Sequence, residues 1–392
     1  MRIRRKINTV SILFISLFSG VLVASPIYSI QPLIDANQAG QNFQLSFNTV
    51  FFRQFSNSSP TYLLGTVGSS TAIGSLVGTN FQYQTLNSLA GRDSITPLAP
   101  LADGSALGLN YQQGAFSTTR TLARWVNGVP SPISLSDPGN PTAIFAHTLL
   151  GANSVGDIAG QYTLNGISSV YRYNIYSSSL SIIPFPDPTA SQIAIAGLND
   201  AGHILALNSS FGAGYRLYDP ATQSWADIGL ASNATGINTN PYLAEDGSFG
   251  ISQTLADGSG LPLGFENGAY RQLLSPAPVS GGGFVARNVF GYNSSGVAVG
   301  NTGSVSGIWL NGTFLNIADL VVNPQGWASF AFANGGVSLG AIDDSGRIYG
   351  TGTYNGQLTG FVMTPAGEVP EPGTFVLLGC GAVALALYRR TS

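Results

Sequence analysis

Charged residues are scarce in this chain. Only 8% of its 392 residues are Asp, Glu, Lys or Arg, whereas about 25% is usual in soluble proteins. The only lysine is Lys6, and the stretch from Ile30 to Glu368 holds 9 Arg against 17 Asp and Glu, a balance of 9 − 17 = −8. Because nucleic-acid binding needs clustered Lys and Arg, we expect no nucleic acid among the partners.

Cysteine and histidine are scarcer still. Cys380 is the one cysteine, and His147 and His203 are the two histidines. A zinc site needs several Cys or His residues at short, fixed spacings, which the sequence lacks. It also lacks a Ser-His-Asp signature and a phosphate-binding loop with its lysine. We therefore expect no catalytic constellation, no metal and no cofactor.

Acidic residues recur beside glycines, as in Glu245-Asp246-Gly247 and Asp343-Asp344-Ser345-Gly346. Glycosidases use two carboxylates roughly 5–10 Å apart across a cleft, and turn carboxylates can also bind Ca²⁺. These acids stand where a tight turn takes a capping side chain, so we interpret them as structural. His203, in a turn of the same type, is interpreted as a solvated residue. A glycosidase or lyase on this scaffold is the alternative.

The N-terminus has the three regions of a secretory signal peptide. Arg2, Arg4, Arg5 and Lys6 precede an apolar run from Val10 to Val23, and small residues follow at Ala24, Ser25 and Ser29. We predict a signal peptide over residues 1–29, cleavage near Ser29, and export by the Sec route.

One local pattern recurs six times between the two ends. It is an Asn- or Asp-containing turn closed by glycine, and the six glycines are Gly104, Gly156, Gly202, Gly247, Gly296 and Gly346. Asn and Asp begin tight turns through their side chains, and Gly takes the positive φ that such turns need. An alternating strand, an aromatic strand and an Asn-Gly hairpin usually follow each turn. Each repeat thus predicts four short antiparallel strands.

The spacing of these glycines, 45–52 residues, is the scale of four-stranded propeller blades. We predict an all-β domain over residues 30–367, a β-propeller of six or seven blades, with a β-solenoid as the competing architecture. Residues 31–99 are expected to hold one more divergent unit. The sixth repeat runs out at Pro365, so an N-terminal strand is expected to complete the last blade. The repeats resemble the extracellular HAF repeat, in a degenerate form without His-Ala-Phe itself.

The C-terminus combines a rigid break, a short apolar run and paired arginines. Val369, Pro370, Glu371 and Pro372 precede the apolar residues 375–388, and Arg389 and Arg390 follow. Fourteen apolar residues fall below the roughly 17–25 of a permanent helical span. Arginines at the far end suit a transient anchor held on the cytoplasmic side. We predict a short hydrophobic helix there, within a tail of residues 368–392.

These residues resemble the PEP-CTERM sorting signal of Gram-negative bacteria. The resemblance implies recognition by an exosortase, a membrane protease, and only a transient contact with the membrane. It also implies a location at the cell surface or in the extracellular matrix, and a link to exopolysaccharide and biofilm.

Aromatic side chains offer the remaining prediction of a ligand site. Trp125 and Trp309 lie at the centres of predicted strands, so we expect them to pack between blades. Trp327 follows Asn323-Pro324-Gln325-Gly326 in a loop-like setting, and we predict it as the ring exposed for stacking on a sugar. The expected function is that of a non-enzymatic, surface-sorted propeller with polysaccharide as its partner.

Overall fold

The computed structural model describes residues 25–37, 42–45, 55–56, 58–113, 118–147, 149–208, 214–237, 241–274, 287–303, 305–322, 324–328 and 338–369. The chain divides into a large unit, Ile30–Thr364, and a small unit. The described residues of the small unit are 25–29 and 365–369. They are the beginning of the first strand, β1 (Ser25–Pro32), and the end of the last strand, which closes at Val369.

Seven sheets make the large unit a seven-bladed β-propeller. Blades 1 to 4 consist of β2 (Phe43–Leu45), β3 (Thr61–Val67), β4 (Ser70–Val77) and β5 (Asn80–Thr85); β6 (Ser94–Pro100), β7 (Ala106–Gln113), β8 (Thr118–Val126) and β9 (Val129–Pro132); β10 (Ile144–Phe145), β11 (Gly151–Ala152), β12 (Asp157–Leu164), β13 (Ile167–Asn174) and β14 (Ser179–Pro184); and β15 (Ile193–Leu198), β16 (Ile204–Asn208), β17 (Tyr215–Asp219) and β18 (Ser224–Ile228).

Blades 5 to 7 complete the ring. They consist of β19 (Ala234–Ile237), β20 (Tyr242–Leu243), β21 (Phe249–Leu255), β22 (Gly260–Glu266) and β23 (Ala269–Gln272); β24 (Arg287–Tyr292), β25 (Ala298–Thr302), β26 (Val305–Leu310) and β27 (Thr313–Asn316); and β28 (Val321–Val322), β29 (Ser338–Ile342), β30 (Ile348–Tyr354) and β31 (Gln357–Val369), joined by β1. A 3₁₀ turn, Ile317–Asp319, lies between β27 and β28.

In blades 2 to 7 the first strands of successive blades contact one another: β6 touches β11, β11 touches β15, β15 touches β20, β20 touches β24, and β24 touches β29. They therefore surround the axis of the propeller, and the later strands of each blade lie farther out. Blade 1 is the divergent unit predicted between residues 31 and 99, so the six recognisable repeats and this unit give seven blades.

An N-terminal strand closes the ring, as the sequence predicts. In blade 7 the order is β28-β1-β31-β30-β29, so that β1 takes the fourth position beside β31. Within the large unit, the amide of Leu33 donates to the carbonyl of Gly360 at 2.8 Å. The exposed edge that β31 would otherwise present is thereby paired.

The six repeat glycines all have positive φ, from 74° at Gly296 to 90° at Gly202. Each lies in the turn between the first and second strands of its blade. We call these six turns, residues 101–105, 153–157, 199–203, 244–248, 293–297 and 343–347, the turn belt. The hairpins after the third strand in blades 2, 5 and 6 place Asn127, Asn267 and Asn311 at positive φ as well, as the Asn-Gly pairs predict.

Four blades share a bulge in the first strand that the sequence pattern does not predict. The register shifts lie between Pro97/Ala99, Ile195/Gly197, Val289/Gly291 and Leu339/Ala341. The extra residue stands six positions before the turn glycine in each case, as in 104 − 98 and 202 − 196. A bulge bends and twists its strand, so the inner strands approach the turn belt with a common curvature.

Apolar layers between blades hold the ring together. Trp125 is 1% exposed and packs with Leu64 and Ile73 of blade 1. Trp309 is fully buried with Leu273 of blade 5 and Val289 of its own blade. Burial of such a side chain stabilises the fold by roughly 1.5–3 kcal/mol or more. The two tryptophans thus pack between blades, as predicted.

Candidate functional site

Hydrogen bonds join neighbouring turns of the turn belt across the blades. The side-chain amide of Asn153 donates to the backbone carbonyl of Asn199 at 2.8 Å, and the side-chain amide of Asn199 donates to the backbone carbonyl of Ala244 at 2.6 Å. Asn293 donates in the same way to Asp343 at 3.1 Å. In the three turns that begin with Asn, the first residue therefore anchors its blade to the next one.

Acids at the second turn position add a parallel set of bonds. The backbone amide of Ser154 donates to Asp200 at 2.8 Å, that of Asp200 to Glu245 at 2.9 Å, and that of Ser294 to Asp344 at 2.8 Å. Capping alone does not describe these carboxylates. They link blades, which the sequence could have indicated only through the recurrence of an acid at this one turn position.

Acids at other turn positions cap their own turns as predicted. Asp246 accepts from the amide of Ser248 at 2.9 Å and from its hydroxyl at 2.6 Å. Asp103 accepts equivalently from Ser105, at 3.0 and 2.6 Å.

Aromatic rings fill the centre of the turn face, the side of the propeller that carries the turn belt. Phe55 stacks on Tyr242 with ring centroids 6.3 Å apart and on Tyr349 at 5.0 Å. The cavity left beside these rings measures only about 10 Å³, which is about the space of one water probe. Among the described residues, little space for a ligand remains beside these rings.

A groove of about 690 Å³ lies on the turn face across blades 4, 5 and 6. Its volume falls within the range of about 300–1,000 Å³ of small-ligand sites. Its lining includes charged and polar side chains that can contact a ligand, namely His203, Asp219, Asp246, Glu266, Arg271 and Ser295. Turns from three blades form the lining, because the turns after the first and third strands of each blade end on this face.

Glu266 is the centre of a hydrogen-bonded network at one side of the groove. It accepts from Arg271 at 2.7 Å and from the hydroxyl of Tyr292. Arg271 also donates to the carbonyl of Gly296 at 3.2 Å. Partial burial alone would raise the pKa of Glu266, but the hydrogen bonds from Tyr292 and Arg271 outweigh it and hold the pKa below its ordinary value. Burial, chiefly, raises the pKa of Tyr292. Glu266 is thus a carboxylate at neutral pH, and Tyr292 keeps its proton.

His203 and Asp219 face each other at the blade 4 side of the groove. The His203 Nε2 atom lies 4.0 Å from Asp219, and its Nδ1 atom lies 3.0 Å from the amide nitrogen of Asn199. Only 17% of the His203 side chain is exposed, so this histidine is partly buried in the wall of the groove instead of fully solvated. The amide of Ala221 donates to Asp219 at 2.8 Å, and this bond is the main cause that lowers the pKa of Asp219.

Trp327 lies in blade 7, outside the lining of the groove. Its ring packs against Tyr354, with centroids 5.0 Å apart, and against Phe361 at 5.5 Å. It is half-buried. Stacking of a sugar on the remaining surface of Trp327 stays a prediction.

The predicted sorting residues lie at the end of the chain. Val369 ends β31, whereas Pro370, Glu371, Pro372, Arg389 and Arg390 lie outside the described residues. The predicted C-terminal helix lies outside them too. Across the described ranges, no helix is both long and apolar enough to cross a bilayer, and no group of three or more His, Cys, Asp or Glu could hold a metal ion.

Comparison with protein families identifies a short motif at the C-terminal end of the chain. The PEP-CTERM protein-sorting motif matches residues 368–390, which confirms the sorting tail. The motif marks the chain as an exported surface protein that an exosortase processes. No curated protein matches the chain.

Solved structures similar to the chain include an extracellular domain of a one-component system from B. thetaiotaomicron, with 11% identity and a TM-score of 0.43. The chain covers 40% of that protein, which covers 83% of the chain. An oligogalacturonate lyase from Vibrio parahaemolyticus has 11% identity over 89% of the chain and 99% of its own, with a TM-score of 0.48. YCF48 from Cyanidioschyzon merolae has 13% identity over 86% and 100%, with a TM-score of 0.47. At these identities and TM-scores, no activity carries over from the similar structures.

Proposed function

We propose that this protein is a non-enzymatic propeller that is sorted to the cell surface or the extracellular matrix, where it binds polysaccharide in the groove of blades 4 to 6. The observation that carries the proposal is the groove itself, which is open, spans three blades and is lined by charged and polar side chains. Hydroxyl-rich chains are bound through such groups. A protein that is exported and sorted to the cell surface is in contact with the polysaccharide there.

The lowered pKa values and the hydrogen bonds of the groove carboxylates support a binding function over acid catalysis. A glycosidase needs one carboxyl group that is protonated near neutral pH, with a raised pKa. Glu266 and Asp219 both have lowered pKa values. Asp246 is held as the cap of its own turn by two bonds to Ser248.

A carbohydrate-active enzyme is the second candidate, because three carboxylates and a histidine line one groove. His203 has one nitrogen bonded to Asn199 and the other directed toward Asp219. A lyase removes a proton beside a uronate carboxylate, and a histidine can act as such a base. Nδ1 of His203 accepts from Asn199, so it would have to exchange that donor for the substrate proton. This function requires a uronate-containing substrate in the groove.

Glycan binding and glycan turnover distinguish the two functions. The exported protein is applied to an array of bacterial and algal polysaccharides, and each bound glycan is then incubated with it and examined for new reducing or unsaturated ends. Binding without new ends supports the binding protein. New ends that disappear in His203→Gln support the enzyme, and no binding to any glycan contradicts both.

Surface sorting is tested separately. A chain that stops before Val369 is produced in a host with the exosortase, and the protein is measured in the cell-surface and medium fractions. We expect loss of surface retention. Unchanged retention would contradict a role for the tail in localisation.

A further inference from the structure

The groove is a negatively charged site. Its described lining contains three carboxylates, Asp219, Asp246 and Glu266, and one guanidinium, Arg271. Counting these gives 1 − 3 = −2. His203 lies 4.0 Å from Asp219 and could offset at most one of these charges when protonated.

The single guanidinium is already engaged. Arg271 Nη2 donates to Glu266 at 2.7 Å and also lies within hydrogen-bond distance of the Tyr292 hydroxyl and the Gly296 carbonyl. Glu266 and Arg271 therefore neutralise each other within the wall of the groove. A uronate or a sulfated sugar would find no other guanidinium or ammonium among the described lining residues.

The remaining charge lies on Asp219 and Asp246, from two neighbouring blades. The bonds that these two acids accept come from their own turns: Asp219 accepts from Ala221 and Thr222, and Asp246 accepts from Ser248. Asp246 is exposed, and the side chain of Asp219 is 40% exposed. Each carboxylate keeps acceptor capacity, since it has about four lone-pair sites.

Ammonium groups are the ligands that such carboxylates prefer, because charge-assisted hydrogen bonds are stronger than neutral ones. A polysaccharide carries ammonium groups when its hexosamine units have free amino groups. We infer that the groove selects polysaccharides with free hexosamine amino groups, which Asp219 and Asp246 bind, and disfavours uronate-containing and sulfated chains. The inference rests on the proposed function, of which it specifies the ligand class.

Three probes of equal length test this inference: a glucosamine hexamer, its N-acetylated counterpart and a galacturonate hexamer. Calorimetric titration of the exported protein is expected to give the tightest binding for the glucosamine hexamer, with an affinity that falls as salt is added. Exposed ion pairs contribute roughly 0.2–1 kcal/mol each. Asp219→Asn and Asp246→Asn should therefore each weaken binding by about 1.4- to 5-fold, and the double variant should combine both losses.

Asp227→Asn is the matched control. It removes the same charge from the outer strand of blade 4, where Asp227 lies 3.8 Å from Arg216 and is 71% exposed, and it should leave the affinity unchanged. Equal binding of the glucosamine and N-acetylated hexamers, or equal losses in all three single variants, overturns the inference. Preference for galacturonate also overturns it while the proposed function stands. If no glycan binds in the titrations or on the array, the proposed function fails too.

Discussion

At the scale of single residues, one side chain often serves both a turn and the neighbouring blade. Asn199 is 1% exposed. Its side-chain oxygen accepts from the backbone amide of His203 at 2.8 Å, while its side-chain nitrogen donates to the backbone carbonyl of Ala244 in the next blade. The sequence indicates the first of these roles through the Asn-Asp-x-Gly pattern. The second depends on a partner 45 residues away, which the local pattern does not contain.

Asn199→Ala should destabilise the propeller by about 1–3 kcal/mol. It leaves the backbone amide of His203 without its side-chain acceptor, and it removes one of two donors from the Ala244 carbonyl, which keeps the Gly247 amide. Urea unfolding measures the change. Asn80→Ala, at an exposed position on the outer strand of blade 1, is the control and should stay within about 0.5 kcal/mol of the parent. Equal effects of the two substitutions would contradict the inter-blade role.

Glu266 gives a stability that depends on pH. Its folded pKa is lowered, because the hydrogen bonds from Tyr292 and Arg271 outweigh partial burial, so its contribution is present above the unfolded pKa and is lost as the pH falls through the folded one. Glu266→Gln should therefore lie well below the parent in free energy of unfolding at about pH 7, and the gap should narrow below about pH 4.5. A gap that is constant down to about pH 3 would show that the network does not depend on ionisation of Glu266.

At the scale of strands and turns, local sequence accounts for much of the fold. Turn glycines and Asn-Gly hairpins report a backbone conformation that few other residues adopt, so turns such as that at Gly202 are predictable. The bulge at Ala196 leaves no mark of this kind, since four different residues occupy that position: Leu98, Ala196, Phe290 and Gly340. The closing strand β1 is predictable only because the last blade lacks a fourth strand.

Removal of β1 tests the closure of the ring. A chain that begins at Leu33 should unfold at a lower temperature than one that begins at Ser25, and it should aggregate, because β31 becomes an exposed edge. A chain that begins at Ile30, as cleavage near Ser29 would leave it, retains three residues of β1 and should have an intermediate stability. Calorimetry with light scattering measures both effects. Identical melting of all three chains would show that β1 is dispensable.

At the scale of the whole molecule, the sequence does not predict the groove. His203 and Asp219 belong to one blade, but Arg271 and Ser295 come from the next two, and only closure of the ring sets their separation. The sequence also predicts Trp327 as the ring exposed for stacking on a sugar. In the structure this ring is half-buried against Tyr354 and Phe361, and the stacking stays a prediction. A recurrent motif predicts the repeated parts of a propeller, and the differences between repeats form its site.

Blockage of the groove tests its role as the polysaccharide site most directly. Ser295 is an exposed turn residue in the lining, and Ser295→Trp should fill part of the space without disturbing the core. Ser179→Trp, on the exposed outer strand of blade 3, is the matched control. Titration with the polysaccharide that the array identifies should show at least about a tenfold loss of affinity, or about 1.4 kcal/mol, for Ser295→Trp and no loss for Ser179→Trp. Equal affinity of the two variants would contradict the account.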